Sequence, residues 1–314
     1  MPGTEQYSEA LVLRVNELVH DFVDEEYEEE VESQMYVVEK ERWLRAWRRH
    51  APDAPRTVID IGTGTGFVPM VILPELDSRD RFICSDVSAS ILELARKKIA
   101  TLDPPAATEY VHLSGRPPFR LPFGDSEADV ITFNSVLHHL KETDSFLREI
   151  DRVLKPGGLL FAGHEPNRQF RETPSLVALF WATRFLFLPR EAAMVALREV
   201  GLYDHLVRLK RRLRRSSEET VADYVNRHVV REGLVDRPLR PSEIPAITDI
   251  RDREGFYPEK LLPGYRILSL ETYNHLLTVD VNLSENRLVQ RISRSAQRRY
   301  PEAGATFFAV YRKP

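Results

Sequence analysis

Asp60-Ile61-Gly62-Thr63-Gly64-Thr65-Gly66 ends a β-branched burst, Thr57-Val58-Ile59, and opens a helical pattern. Glycine is needed in such a turn because the chain bends tightly and because a ligand must approach the backbone without meeting a Cβ. The first N–H groups of the following helix lack intrahelical partners, which suits a carboxylate or a phosphate. The spacing narrows the choice of ligand. A dinucleotide fingerprint reads G-x-G-x-x-G, and Phe67 stands where its third glycine would be. Here the glycines recur at every second position, with Asp60 two residues before the first.

Outward from this turn, apolar bursts alternate with helical patterns. The bursts are Arg81-Phe82-Ile83-Cys84, Tyr110-Val111-His112-Leu113, Asp129-Val130-Ile131-Thr132-Phe133 and Leu159-Leu160-Phe161-Ala162. Between them, Ser88 to Ala100 turns Ile91, Leu92, Ala95 and Ile99 to one side, and Thr143 to Leu154 does the same with Phe146, Leu147, Ile150 and Val153. The alternation predicts an α/β fold with a doubly wound, mostly parallel sheet. Bursts without clean two-residue alternation suit strands covered on both faces.

Four segments are expected. Residues 1–56 form a helical extension in which Ser8 caps a helix carrying Leu11, Val15, Leu18, Val19 and Phe22 on one face. The acidic stretch Asp24 to Glu32 and the arginines Arg42, Arg45, Arg48 and Arg49, set around Tyr36, Trp43 and Trp47, read as solvated helix surface. Residues 57–165 are the sheet core, residues 166–263 a mostly helical insertion, and residues 264–314 return to strands, Tyr265 to Asp280 and Thr306 to Tyr311, around an amphipathic helix near Leu288 and Ile292. Those strands complete the far side of the sheet.

Composition excludes several classes. The 314 residues, 42% hydrophobic and 29% charged, are ordinary for a folded protein with a substantial core. One cysteine, Cys84, allows neither an internal disulfide nor a thiolate metal cluster. Met1-Pro2-Gly3-Thr4 lacks the basic-then-apolar pattern of a leader, and no apolar run reaches the ~18 residues of a spanning helix, so a cytoplasmic protein is expected. A net charge of −4 points to no partner.

A second acid, Asp86, ends the second burst, where a carboxylate can accept both hydroxyls of a ribose. Its other reading is a helix cap, a task Ser88 already fits. Leu121-Pro122-Phe123 precedes the fourth burst, Asn134-Ser135-Val136-Leu137-His138-His139-Leu140 follows it, and Arg152-Val153-Leu154-Lys155-Pro156-Gly157-Gly158 leads into the fifth. In this order the set resembles the class I S-adenosylmethionine-dependent methyltransferases, nearest to the small-molecule type 11 group, to which quinone-biosynthesis methyltransferases are similar. The resemblance covers Thr57 to about Glu165.

The resemblance implies a seven-stranded Rossmann-like fold with S-adenosyl-L-methionine as cofactor. It implies that Asp60, Gly62, Thr63, Gly64 and Gly66 hold the methionine part, Asp86 the ribose, and Val87 the adenine, while Asn134 stands beside the methionine end. Many members have an acid after the third strand that meets the adenine amino group. This chain reads Leu113-Ser114-Gly115-Arg116-Pro117-Pro118 there, and Ser114 falls in that slot.

Methyl transfer from a sulfonium is an in-line displacement that needs little covalent help. A base is needed only if the nucleophile must lose a proton, and histidine titrates near neutrality. His139 and His138 are the foremost candidates, followed by His164, with Glu165 and His275 behind; each also reads as a packing or capping residue. Metal-using small-molecule members place an acid after the fourth strand, where Asn134 stands, so a metal-independent enzyme without metal ligands is expected. The insertion reads as a cap over a pocket for a small organic acceptor, a lipophilic one included, methylated at oxygen or carbon. Its apolar stretch Leu176 to Leu188 reads first as core, then as acceptor pocket or membrane-surface patch. The basic burst Arg208 to Arg215 reads as a solvated face or as lipid contact through the cap.

Two rival readings stand beside this one. A nucleic-acid methyltransferase is motivated by the same basic burst. It is disfavoured because Asn134-Ser135-Val136 replaces the Asp/Asn-Pro-Pro-aromatic element that grips a flipped base, and Asp103-Pro104-Pro105-Ala106 lacks the aromatic. No nucleic-acid partner is therefore expected. The other rival is a cofactor-binding protein without catalysis.

Overall fold

Neighbouring residues of the first strand point into different layers: Val58 packs on one face of the sheet and Ile59 on the other. The computed structural model describes residues 6–22, 39–114, 119–187, 219–276 and 286–314, with 189, 193 and 197. Its strands are β1 (Thr57–Ile61), β2 (Arg81–Asp86), β3 (Ala107–His112), β4 (Ala128–Asn134), β5 (Leu154–Pro166), β6 (Arg266–Tyr273) and β7 (Thr306–Arg312). They form one seven-stranded sheet ordered β3-β2-β1-β4-β5-β7-β6. β1 to β5 run parallel, and β7 lies antiparallel to both its neighbours. The chain builds one half outward from β1, then crosses back to build the other from β4. The crevice left where the direction of winding changes is the usual ligand position in such sheets.

The helices are α1 (Glu9–Phe22), α2 (39–50), α3 (Phe67–Ile72), α4 (Ala89–Ala100), α5 (Thr143–Val153), α6 (Arg168–Arg171), α7 (Pro174–Phe187), α8 (Val221–Arg231), α9 (Glu243–Thr248) and α10 (Arg287–Arg299). α4 buries Ile91, Leu92, Ala95 and Ile99, and the Ser88 hydroxyl caps it by accepting the Ile91 N–H. α5 buries Phe146, Leu147, Ile150 and Val153. One sheet face is covered by Trp43 and Trp47 of α2 with Val71 and Ile99. The other is covered by Phe146 and Ile150 against Ile131, Phe133 and Leu160. Central strands covered on both sides are buried nearly throughout, whereas β3, at the edge, alternates exposed and half-buried residues along most of its length.

The flanking helices attach in two groups. α1 is capped by Ser8, whose hydroxyl accepts the Leu11 N–H, and its Leu11, Val15 and Leu18 pack against Val225 and Val229 of α8 and Ile247 of α9. α6 and α7 instead join α10 through Phe170, Leu176 and Ala296.

Three expectations need correction. β5 begins at Leu154 rather than Leu159, because Gly157 N–H donates to the Lys313 carbonyl and Lys313 N–H to that of Gly158. Arg42 is not solvated. Its guanidinium lies 2.8 Å from Glu39, the fully buried first residue of α2, and 3.6 Å over the Tyr273 ring. An unpaired charge at that depth would be strongly destabilising, and Arg42 compensates it. The stretch from Leu176 is core only in part: Leu176 and Thr183 are buried, while Phe185 and Leu186 are 52% and 75% exposed. A helix apolar around its whole circumference can be covered on only one side. Asp24 to Glu32, Tyr36, Pro117, Pro118 and Arg208 to Arg215 lie outside the described residues. No described helix is long and apolar enough to cross a membrane.

Candidate active site

The glycine turn rests on a buried carboxylate. Asp60 has no exposed surface, and its two oxygens accept the Thr132 hydroxyl at 2.6 Å and the Thr63 hydroxyl at 2.8 Å. Thr63 also accepts the Ser85 N–H at 3.0 Å, and the N–H groups of Gly62 and Thr63 both donate to the Ser85 carbonyl. The turn is thereby stitched to the end of β2. Burial pushes the Asp60 carboxyl up to about 7; the two hydroxyl hydrogen bonds oppose this, and the nearby Asp86 charge adds to it. Asp60 therefore supports the turn from below rather than facing the crevice.

Two glycines show how the turn is shaped. At Gly62 (φ +70°) a Cβ would lie 2.5 Å from Val136 Cγ2, so the turn is pressed against the segment after β4. At Gly64 (φ +55°) nothing lies within 4 Å of the Cβ position. That side is open for a ligand to approach the backbone, as expected of a cradle.

Asp86, at the end of β2, spans the crevice edge. Its Oδ2 accepts the Gly64 N–H at 2.9 Å and its Oδ1 the Ser88 N–H at 2.9 Å. Each oxygen keeps a further lone pair, so the carboxylate can hold the turn and still accept a diol. Val87 is half-buried, and its carbonyl meets His112 Nε2 at 2.9 Å. Ser114, the residue that the resemblance assigns to the adenine, is exposed. Asn134, at the end of β4, is buried, and its Oδ1 accepts the Trp43 indole N–H at 3.3 Å. The open cradle at Gly64 and the diol-capable Asp86, one strand apart, fit S-adenosylmethionine.

Sequence reasoning undervalued Glu165. This carboxylate at the end of β5 is completely buried and accepts the backbone N–H groups of Val136 (2.6 Å), Leu137 (2.8 Å) and His138 (3.3 Å). The His138 Nδ1 lies 3.1 Å from it. An ionised carboxylate only accepts, so Nδ1 bears the proton and Nε2 the lone pair of the neutral ring. Burial pulls His138 down, but the hydrogen bond to Glu165 and its negative charge outweigh this and leave the ring above its ordinary value. His139 is the opposite case. Burial, then the charges of His138 and His20, hold it well below, while its Nδ1 donates to the Thr248 carbonyl at 2.7 Å. The two rings, 4.0 Å apart, are driven in opposite directions.

The other candidate bases lie elsewhere. His164, at φ +53° on the irregular end of β5, turns toward α2 and meets Glu39 at 3.2 Å. His275 is buried against the Tyr300 carbonyl, beside the end of α10. Sequence alone also missed Thr132 and Trp43 as partners of Asp60 and Asn134; their placement at strand-end or inward positions was the only available signal. Among the described residues, His138, His139 and Asp249 bring cation-binding atoms within 4.8 Å of one another.

Strand order, the antiparallel last strand and the acid-closed glycine turn place a ligand crevice at the carboxyl ends of β1, β2 and β4. Residues 59–162 match the type 11 family, described as "Methyltransferase domain". The chain is similar to the ubiquinone/menaquinone biosynthesis C-methyltransferase UbiE of Salmonella paratyphi B, 31% identical over 157 residues that make up 48% of this chain and 60% of the relative. The same figures hold for UbiE of Salmonella newport. The chain thus spans less than two thirds of the length of these curated relatives. Among solved structures it is similar to a SAM dependent methyltransferase from Aquifex aeolicus, with 15% identity, 92% of this chain and 98% of that chain covered, and a TM-score of 0.42.

Proposed function

We propose that the protein transfers a methyl group from S-adenosyl-L-methionine to a small organic acceptor, at oxygen or carbon, without a metal. The observation that carries this reading is the Asp86–Gly64 hydrogen bond beside an open cradle, which pairs a diol acceptor with a close-approach backbone. When bound, the cofactor supplies an electrophilic methyl carbon on a sulfonium. The Gly62 to Gly66 backbone holds the amino-acid tail and Asp86 the ribose, with Val87 and Ser114 toward the adenine and Asn134 toward the methionine end. Fixing the two reactants in line contributes roughly 7–11 kcal/mol in favourable systems, and no Lewis acid is required for it.

His138 is the general base in this reading, oriented by Glu165, which accepts the Nδ1–H hydrogen bond and so leaves the Nε2 lone pair to take a proton from the acceptor. His139, held neutral, packs beside it and stands second. A relative named for ubiquinone/menaquinone biosynthesis supports an acidic, lipophilic, quinol-like acceptor whose proton such a base removes. The described residues 166–187 and 219–263 form the cap over that acceptor in this reading.

Incubation with methyl-labelled cofactor and a panel of phenolic, quinol and lipid acceptors tests the reading. Label transfer that survives a strong chelator is expected. Cofactor binding with no transfer to any acceptor favours a binding protein instead, and transfer abolished by chelation shifts the assignment to a cation at His138, His139 and Asp249.

A further inference from the structure

α10 is out of keeping with the rest of the chain. The protein carries a net charge of −4, yet this 13-residue helix has five arginines and no acid. Arg287, Arg291, Arg294 and Arg298 recur at intervals of four, three and four, which stacks them on one face. All four are exposed, and none pairs with an acidic group among the described residues. Val289 and Ala296 hold the opposite face in the core. The stripe is therefore the outermost face of the helix, and no described acidic group compensates its charge.

Exposed apolar side chains occur on the same pair of helices, α7 and α10, as well as on α8. The large hydrophobic side chains exposed among the described residues are Phe185, Leu186, Val230 and Leu288. Phe185 and Leu186 are on α7, and Leu288, 56% exposed, lies on α10 between the first two arginines. α7 and α10 belong to one packed cluster, and the Ser175 hydroxyl meets the Tyr300 hydroxyl at 2.7 Å between them. Both helices sit at the sheet edge that carries the candidate site. α7 follows the end of β5, just beyond Glu165, and α10 links the end of β6 to the start of β7, where Tyr273 and Pro166 each pair with Thr306.

We propose that α10 and the exposed side of α7 dock the protein on an anionic lipid bilayer. Arginine guanidinium groups bind lipid phosphates while Phe185, Leu186 and Leu288 enter the interfacial region, a combination of charge and apolar area that a polyanion in water does not use. Each basic group near an anionic surface contributes about 1 kcal/mol, roughly a fivefold change in partitioning. Docking at this edge would bring a lipophilic acceptor to the crevice without passage through water. The surface itself does not depend on the proposed reaction.

Flotation of the full chain with vesicles tests this without turnover or cofactor. Co-flotation with phosphatidylcholine–phosphatidylglycerol vesicles, weakened by salt and far greater than with phosphatidylcholine alone, is expected. Replacing Arg287, Arg291, Arg294 and Arg298 together by Gln, which keeps helix propensity, should lower partitioning by a hundredfold or more, at roughly fivefold each. A second variant, Phe185→Ser with Leu186→Ser, should lose the salt-resistant part of the binding. Equal flotation with both vesicle types, wild-type behaviour of either folded variant, or release from vesicles by a single-stranded oligonucleotide at equal phosphate concentration would overturn the proposal, the last in favour of nucleic acid.

Discussion

Glu165 and His138 are joined twice, ring Nδ1 to carboxylate at 3.1 Å and backbone N–H to carboxylate at 3.3 Å. The residue that shapes the turn after β4 is therefore also the one that orients the ring. Loop and base cannot move independently.

His138→Gln should lower the rate of methyl transfer by ~10²–10⁴-fold if the acceptor is deprotonated in the transition state, with cofactor affinity unchanged. Because Glu165 raises the His138 pKa, activity should climb with pH through a value above the ordinary ~6.5, as the base becomes neutral. Glu165→Gln removes the raising charge and should move that climb to lower pH. Its stability should also drop by about 1–3 kcal/mol, since an amide cannot satisfy all three backbone donors. A kcat/KM profile of Glu165→Gln that coincides with the wild type would refute the pairing.

Asp60 links stability to pH. Its folded pKa of about 7 lies above the ~3.9 of an unfolded aspartate, so between those values the folded state holds a proton that the unfolded state has lost. The contribution of Asp60 is thus fully present below about pH 4 and is lost as pH rises toward 7. Asp60→Asn stays neutral throughout. Its melting temperature relative to wild type should rise steadily from pH 4.5 to 7.5, and thermal melts giving a constant difference would show that Asp60 ionises freely.

Asp86→Ala removes a charged acceptor from the ribose position and should weaken cofactor binding by about 1.5–3 kcal/mol, on the order of 10–100-fold by calorimetry. It also strands the Gly64 and Ser88 N–H groups, so a lower melting temperature should accompany the loss. Undiminished affinity would mean that the sugar lies elsewhere.

Gly64→Val separates the cradle from the fold. The added side chain meets open space rather than protein, so the structural cost is the left-handed backbone, about 1–2 kcal/mol. Native circular dichroism with cofactor binding abolished is expected. Tight binding by this variant would show that no ligand approaches the turn.

The parts that were legible in sequence are those set by neighbours a few residues away. The α4 face of Ile91, Leu92, Ala95 and Ile99, its Ser88 cap and the glycine turn follow from local spacing. The hub at Glu165 depends on partners 27 to 29 residues upstream, across two strand ends, and nothing local distinguishes it from any acid closing a strand. Nothing in the sequence around Asp60 reveals that Thr63 and Thr132 will enclose its carboxylate. The contact of Asn16 with the His139 carbonyl spans 123 residues and brings α1 against the turn that carries the histidines. Only the folded sheet discloses that neighbourhood.

Trp43 settles how the protein can be subdivided. Its indole lies among Phe67, Phe161 and Phe308 and donates to Asn134, so residues that precede the sheet core in the chain are masonry in its wall. A shortened protein starting at Thr57 would emerge from the ribosome with an aromatic hollow on one side of its sheet. It would clump long before it could be assayed, and the shortest workable version has to retain α2.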